Sequence, residues 1–151
     1  MTVVSAGRPA PEFTLARHVG KPFTRSDLEA GLSVLVFYPY PFSPVCTDQL
    51  SVYNELLDDF KAKGATLYGV SCDAIWSQRA FKQQLGIDIE QLSDFEPKGA
   101  VCRAFGVLHE RGMPERALVV IGPDAVVKWS YQALQLAELP GANLIFDALD
   151  G

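Results

Sequence analysis

The sequence predicts an α/β fold with a mixed central sheet flanked by helices. Three observations predict it. An apolar run beginning at Leu32, a helically spaced segment behind it and a second apolar run over 66–71 give strand, helix and strand in succession. Such a unit pairs its strands in parallel through a right-handed crossover. Two later runs, 117–121 and 126–131, meet at Gly122-Pro123-Asp124-Ala125, a turn tight enough to demand antiparallel pairing. The segment 142–149 is amphipathic through Leu144, Ile145, Ala148 and Leu149 and predicts a covering helix.

Length and composition set the frame. At 151 residues the chain is read as one domain, 1–151, long enough to bury a real core. With 48% hydrophobic and 21% charged residues it sits among ordinary globular proteins. A net charge of -5, with lysine and arginine scattered, argues against nucleic acid or an anionic membrane as partner. No stretch approaches the roughly 20 apolar residues needed to span a bilayer, and the first residues lack the charged start and apolar core of a signal peptide. Three widely spaced cysteines make no disulfide framework, so the reducing cytoplasm is the expected location.

Taken in order, Phe13-Thr14-Leu15 and Pro22-Phe23-Thr24 read as short strands joined around Gly20, followed by a brief helix over 26–30 with Ser26 as its N-cap. The run from Leu32 is rich in branched residues and reads as a buried strand. Pro39 and Pro41 end it, because proline cannot donate a ladder hydrogen bond. Ser43-Pro44 then starts a helix, with a hydroxyl able to accept from free N–H groups and a ring pre-set to helical φ. Leu50, Tyr53, Leu57 and Phe60 form its apolar stripe, and Lys63-Gly64 ends it. Cys72 closes the second strand, on the same sheet edge as Cys46. Trp76, Ala80, Phe81, Gln84 and Leu85 give another amphipathic helix stopped by Gly86. Leu92 falls in a short strand and Cys102 on a short helix, while His18 and His109 read as solvated loop residues. A βαβ half followed by a hairpin and helix is the thioredoxin-like order.

Cys46 is the residue this order singles out. It falls in the first turn of a helix at the C-terminal end of a strand, where unpaired N–H groups and the positive dipole end favour a thiolate. The plain alternative is a small buried core residue.

The residues around it carry a resemblance. Pro39-x-x-x-Ser43-x-x-Cys46, within Phe-Tyr-Pro-x-x-Phe-Ser-Pro-Val-Cys-Thr, resembles the active-site motif of the peroxiredoxins (AhpC/TSA family). The segment 92–107 resembles that of the one-cysteine, alkyl hydroperoxide reductase E-like members. The resemblance implies a thioredoxin-like peroxidase that reduces hydrogen peroxide and organic hydroperoxides through a cysteine sulfenic acid at Cys46. It also implies a homodimer.

The chemistry asks for donors and a cation. Attack on a peroxide moves negative charge across two oxygens, so the site must hold the O–O bond in line and donate hydrogen bonds to it. The amides of Val45 and Cys46 and the hydroxyl of Ser43 are the local donors, and Pro39 shields the sulfur. Arginine suits the cation because it stays charged and offers forked donors. Spacing does not choose among Arg79, Arg103, Arg111 and Arg116; the resemblance chooses Arg116, through Pro-Glu-Arg-Ala-Leu-Val-Val-Ile.

Gln49 stands where many members carry glutamate, and Ser51 where one branch carries a second cysteine. A Cys46–Cys72 bridge would require an element to unwind, so the expected cycle uses one cysteine and an external reductant: a thioredoxin-like or glutaredoxin-like protein, or a low-molecular-weight thiol. No cofactor is called for. A zinc site from Cys46, Cys72, Cys102 and His109 lacks paired ligand spacing. The rival functions are a thioredoxin-like disulfide oxidoreductase, which lacks its second cysteine here, and a non-catalytic redox-binding module.

Overall fold

Alternation along the strand at Leu32 decides how the molecule is layered. Val34 and Val36 point to one side and Leu35 and Phe37 to the other, all fully buried, so the strand lies between two apolar layers. The computed structural model describes residues 2–151; Met1, the start of the segment read above for signal-peptide character, lies outside them. The elements in chain order are β1 (Thr14–Arg17), β2 (Phe23–Thr24), a 3-10 helix (Arg25–Ala30), β3 (Leu32–Phe37), α1 (Pro44–Glu55), α2 (Leu57–Ala62) and β4 (Ala65–Ser71). They continue with α3 (Ile75–Leu85), β5 (Glu90–Ser93), α4 (Ala100–Ala104), β6 (Ala117–Ile121), β7 (Val127–Gln132) and α5 (Ala142–Asp150).

The strands form one seven-stranded sheet in the order β2-β1-β5-β4-β3-β6-β7. β3 pairs in parallel with β4 and antiparallel with β6, which makes the sheet mixed as its element order predicts. One face buries Cys46, Leu50 and Tyr53 of α1, Phe60 of α2, Phe81 of α3 and Ile145 of α5 against Val34, Val36, Leu118 and Val120. The other buries Leu28 of the 3-10 helix and Val101 and Cys102 of α4 against Leu35, Phe37, Val70 and Val119. No described helix is long and apolar enough to cross a membrane.

Several local expectations change. Thr24, not Ser26, caps the 3-10 helix: its amide is bonded at 2.8 Å to Asp27, three residues on, completing a capping box. The stripe Leu50, Tyr53, Leu57, Phe60 belongs to two helices, because the backbone breaks at Leu56, whose amide bonds back to the Tyr53 carbonyl. Trp76 leaves the apolar face of α3; it is 65% exposed and packs edge-on against His18 at 5.2 Å. His18 is therefore not simply solvated. His109 accepts from the Arg111 amide at 3.0 Å and faces Glu115, so it too has partners.

Candidate active site

The site is built where β3 ends. Tyr38 and Pro39 are buried, and the chain then turns through exposed Tyr40 and Phe42 to Ser43, the residue preceding α1. Phe42 has φ 70, a left-handed conformation that a bulky side chain rarely adopts, and its ring rests against Phe81 at 5.1 Å. Pro44 occupies the first helical turn, which places Cys46 in that turn as the sequence predicts.

Ser43 behaves differently from the expectation. Its hydroxyl donates to the carbonyl of Tyr40 at 2.8 Å, and α1 has no side-chain cap. The reason is local: the tight turn at 40–43 leaves that carbonyl within reach of the hydroxyl. The amides of Val45 and Cys46 consequently open the helix without a side-chain acceptor.

Arg116 reaches the sulfur from the neighbouring strand. Phe37 and Ala117 are register partners in the β3–β6 pair, so the residue before β6 lies beside the chain that leaves β3. The Arg116 guanidinium donates from Nη2 to Cys46 Sγ at 3.1 Å, from Nη1 to Gln49 Oε1 at 2.6 Å and from Nε to the Leu136 carbonyl at 2.8 Å. Gln49 in turn donates to the Tyr53 hydroxyl at 3.2 Å, and Tyr53 donates to the Pro140 carbonyl at 2.6 Å. Burial pushes the Tyr53 phenol up to about 12, against the opposing pull of the Gln49 hydrogen bond and the Arg116 charge. Cys46 is fully buried and Arg116 only 2% exposed, so this network works in a low-dielectric setting.

Of the arginines that spacing left open, Arg79, Arg103 and Arg111 are exposed, and Arg116 alone bonds to Cys46. Sequence reasoning assigns Tyr53 to core packing and does not reach Leu136 or Pro140. One signal for Tyr53 exists: Cys46, Gln49 and Tyr53 recur at helical spacing on one face. The carbonyls of Leu136 and Pro140 carry no sequence signal.

Cys72 does not join this site. It shares the sheet edge with Cys46 but packs on the opposite face, with its sulfur 4.0 Å from that of Cys102. The four ligands of the conceivable zinc site therefore do not converge.

This arrangement can be set beside known proteins. The AhpC/TSA family model matches residues 6–130. The chain belongs to the AhpC/TSA family of peroxiredoxins. It is 32% identical over 133 residues to a peroxiredoxin of Thermoplasma volcanium, covering 83% of this chain and 64% of that one. The match thus spans under two thirds of that relative's length. Alkyl hydroperoxide reductase E of Mycobacterium bovis is 28% identical over 149 residues, 97% of each chain. Among solved structures of the family, peroxidoxin BcpB of Mycobacterium tuberculosis superposes with a TM-score of 0.84 at 28% identity, over 97% of this chain and 96% of that one. The AhpC of Mycobacterium tuberculosis, at 20% identity and a TM-score of 0.87, shares the thioredoxin-like fold.

Proposed function

We propose that the protein is a thiol-dependent peroxidase in which Cys46 reduces hydrogen peroxide and organic hydroperoxides. One observation carries the reading: Arg116 Nη2 lies 3.1 Å from Cys46 Sγ at a helix start whose first amides have no side-chain cap. The thiolate attacks one peroxide oxygen, the O–O bond breaks, and the other oxygen leaves as alcohol or water after taking a proton. Cys46 is left as sulfenic acid.

Arg116 and the amides of Val45 and Cys46 donate to the oxygens as charge develops on them. Ser43 contributes differently, since the Tyr40 carbonyl holds its proton and its oxygen is left to accept the O–H of the peroxide. Pro39, buried against the end of β3, keeps water from the sulfur.

Recycling is by one cysteine. An external thiol forms a mixed disulfide with Cys46 and releases water; a second thiol frees the enzyme. The reductant is a thioredoxin-like or glutaredoxin-like protein, or a low-molecular-weight thiol. The opposite-face position of Cys72 and Cys102 supports this cycle. A homodimer goes with the proposal, supported by the exposed aromatic side chains of Tyr40, Phe42 and Phe95 near the site. Three unbonded cysteines fit a reducing cytoplasm, and a single sheet running from β1 to β7 fits 1–151 acting as one domain.

Stopped-flow measurement of peroxide loss tests the assignment. Cys46→Ser should lose the rapid phase of peroxide consumption, leaving only the slow loss that any other thiol gives, and a variant that kept the wild-type rate would overturn it.

A further inference from the structure

Outside the Cys46 site, one cluster brings nucleophilic and titratable groups together. Cys72, at the end of β4, and Cys102, on α4, place their sulfurs 4.0 Å apart in the core. Asp94 completes the cluster, with a carboxylate oxygen and both sulfurs all within 4.8 Å of one another. Its two oxygens accept from the Val101 amide at 3.1 Å and the Cys102 amide at 2.8 Å, which ties α4 to the end of β5.

The two sulfurs differ in access. Cys102 is fully buried, whereas Cys72 is 7% exposed and lines a cavity of about 280 Å³. That cavity is also bordered by Pro39, Tyr40, Lys98 and Arg111. It therefore opens beside the loop that precedes Cys46, with two cations in its wall.

We propose that Cys72 and Cys102 form a second redox centre, a dithiol that hydroperoxides convert to an intrachain disulfide. The proposal uses the substrate class of the reading above but gives no role to Cys46. In the first step the Cys72 sulfur attacks a hydroperoxide from the cavity; Cys72 becomes sulfenic acid and the peroxide leaves as alcohol or water. In the second, the Cys102 sulfur attacks the Cys72 sulfur, the S–O bond breaks and water leaves. The Cys102 proton passes to Asp94 and on to the departing hydroxyl. Two thiols lose two electrons, and one peroxide is reduced.

The order of steps follows from the surroundings. The hydrogen bond with Cys72, then burial and the nearby Asp94, push the Cys102 thiol far up, so it stays protonated until a base takes its proton. Burial also raises the Asp94 carboxyl, which makes it a better proton acceptor. A disulfide requires sulfurs about 2.05 Å apart. Closing from 4.0 Å asks for side-chain rotation and a small backbone shift, not the unwinding of α1 that a Cys46 bridge needs.

The test uses the Cys46→Ser protein with hydrogen peroxide, thiol counting under denaturing conditions and non-reducing peptide mapping. Trypsin releases Cys72 in 64–79 and Cys102 in 99–103. The expected result is loss of both thiols together, a chain lighter by two hydrogen atoms, these two peptides linked, and full recovery with dithiothreitol. With Cys102→Ser added, Cys72 should instead give a dimedone adduct. Intact thiols, a link between two chains, or one equivalent of chelator-removable zinc shielding the pair would each overturn the proposal. Should Cys46→Ser not fold, the wild-type protein with two equivalents of peroxide gives the same map. There the oxidation state of Cys46, carried on 26–61, reports on the peroxidase reading separately.

Discussion

Gln49 holds Arg116 at 2.6 Å through its amide oxygen, and this contact aims the guanidinium at Cys46. The guanidinium's remaining anchor is the Leu136 carbonyl, so three directions of its donor fork are occupied and its rotamer is fixed. Both anchors are neutral. A carboxylate at position 49 would hold the arginine as well and cancel its charge; an amide leaves that charge to the sulfur.

Arg116→Ala removes the cation and leaves the Gln49 and Leu136 oxygens without their donor. Oxidation of Cys46 should slow by about 10²–10³-fold, the cost of deleting one preorganised donor at a developing oxyanion. Rapid-mixing kinetics with hydrogen peroxide measure it. Arg103→Ala and Arg111→Ala alter exposed side chains and should change the rate little; a larger loss in either would move the assignment.

Gln49→Ala leaves Arg116 in place but frees one arm. A hydrogen bond to a charged group contributes about 1.5–3 kcal/mol, so the oxidation rate should fall about tenfold or more. Gln49→Glu should recover the aim of the arginine and part of the rate. A Gln49→Leu variant that kept the wild-type rate would mean that Gln49 fills space and does not orient Arg116.

Tyr53 supplies a pH dependence. Its folded value, about 12, lies above the ordinary 10.0 because burial opposes ionisation. A raised value means that its contribution to stability is whole below pH 10 and is lost as pH rises through 12. Across that window stability should fall by about 1.4 kcal/mol per pH unit from this group. Tyr38, raised for the same reason, adds to the slope. Urea unfolding across the window checks this: Tyr53→Phe should flatten the slope by one group, and an unchanged slope would show that Tyr53 ionises freely.

Gly69 leaves room for a buried amide. A Cβ there would sit 2.7 Å from both Nε2 and Oε1 of Gln91, the side chain that accepts from the Tyr38 hydroxyl at 2.5 Å. Gly69→Ala should cost about 1–3 kcal/mol through overpacking and the lost hydrogen bond. Denaturant melts measure it, and a neutral result would mean that Gln91 swings clear without loss.

The sheet is legible in the sequence because its central strands are unbroken branched-apolar runs and its crossover and hairpin lengths leave little topological choice. Cys46 is legible because Ser43-Pro44 marks the helix start. Other features are hidden for physical reasons. The break at Leu56 has neither proline nor glycine to announce it. Arg116 is indistinguishable by spacing, since its proximity to Cys46 comes from the pairing of Phe37 with Ala117. The face taken by Cys72 turns on strand parity: Val70 and Cys72 point the same way, but only the fold tells which way α1 lies. Ser43's turn toward Tyr40 depends on loop geometry that no residue pattern encodes.

The parity of β4 has a consequence for how oxidation is distributed in the molecule. Cys46 and the Cys72–Cys102 pair are packed into separate buried clusters on the two faces of the sheet, which acts as an insulator between them, because sulfur chemistry moves by direct contact. Oxidising equivalents captured on one face leave by solvent or by a partner, and are not handed through the interior to the other face. Damage or signalling at either cluster is thereby confined to its own side of the protein.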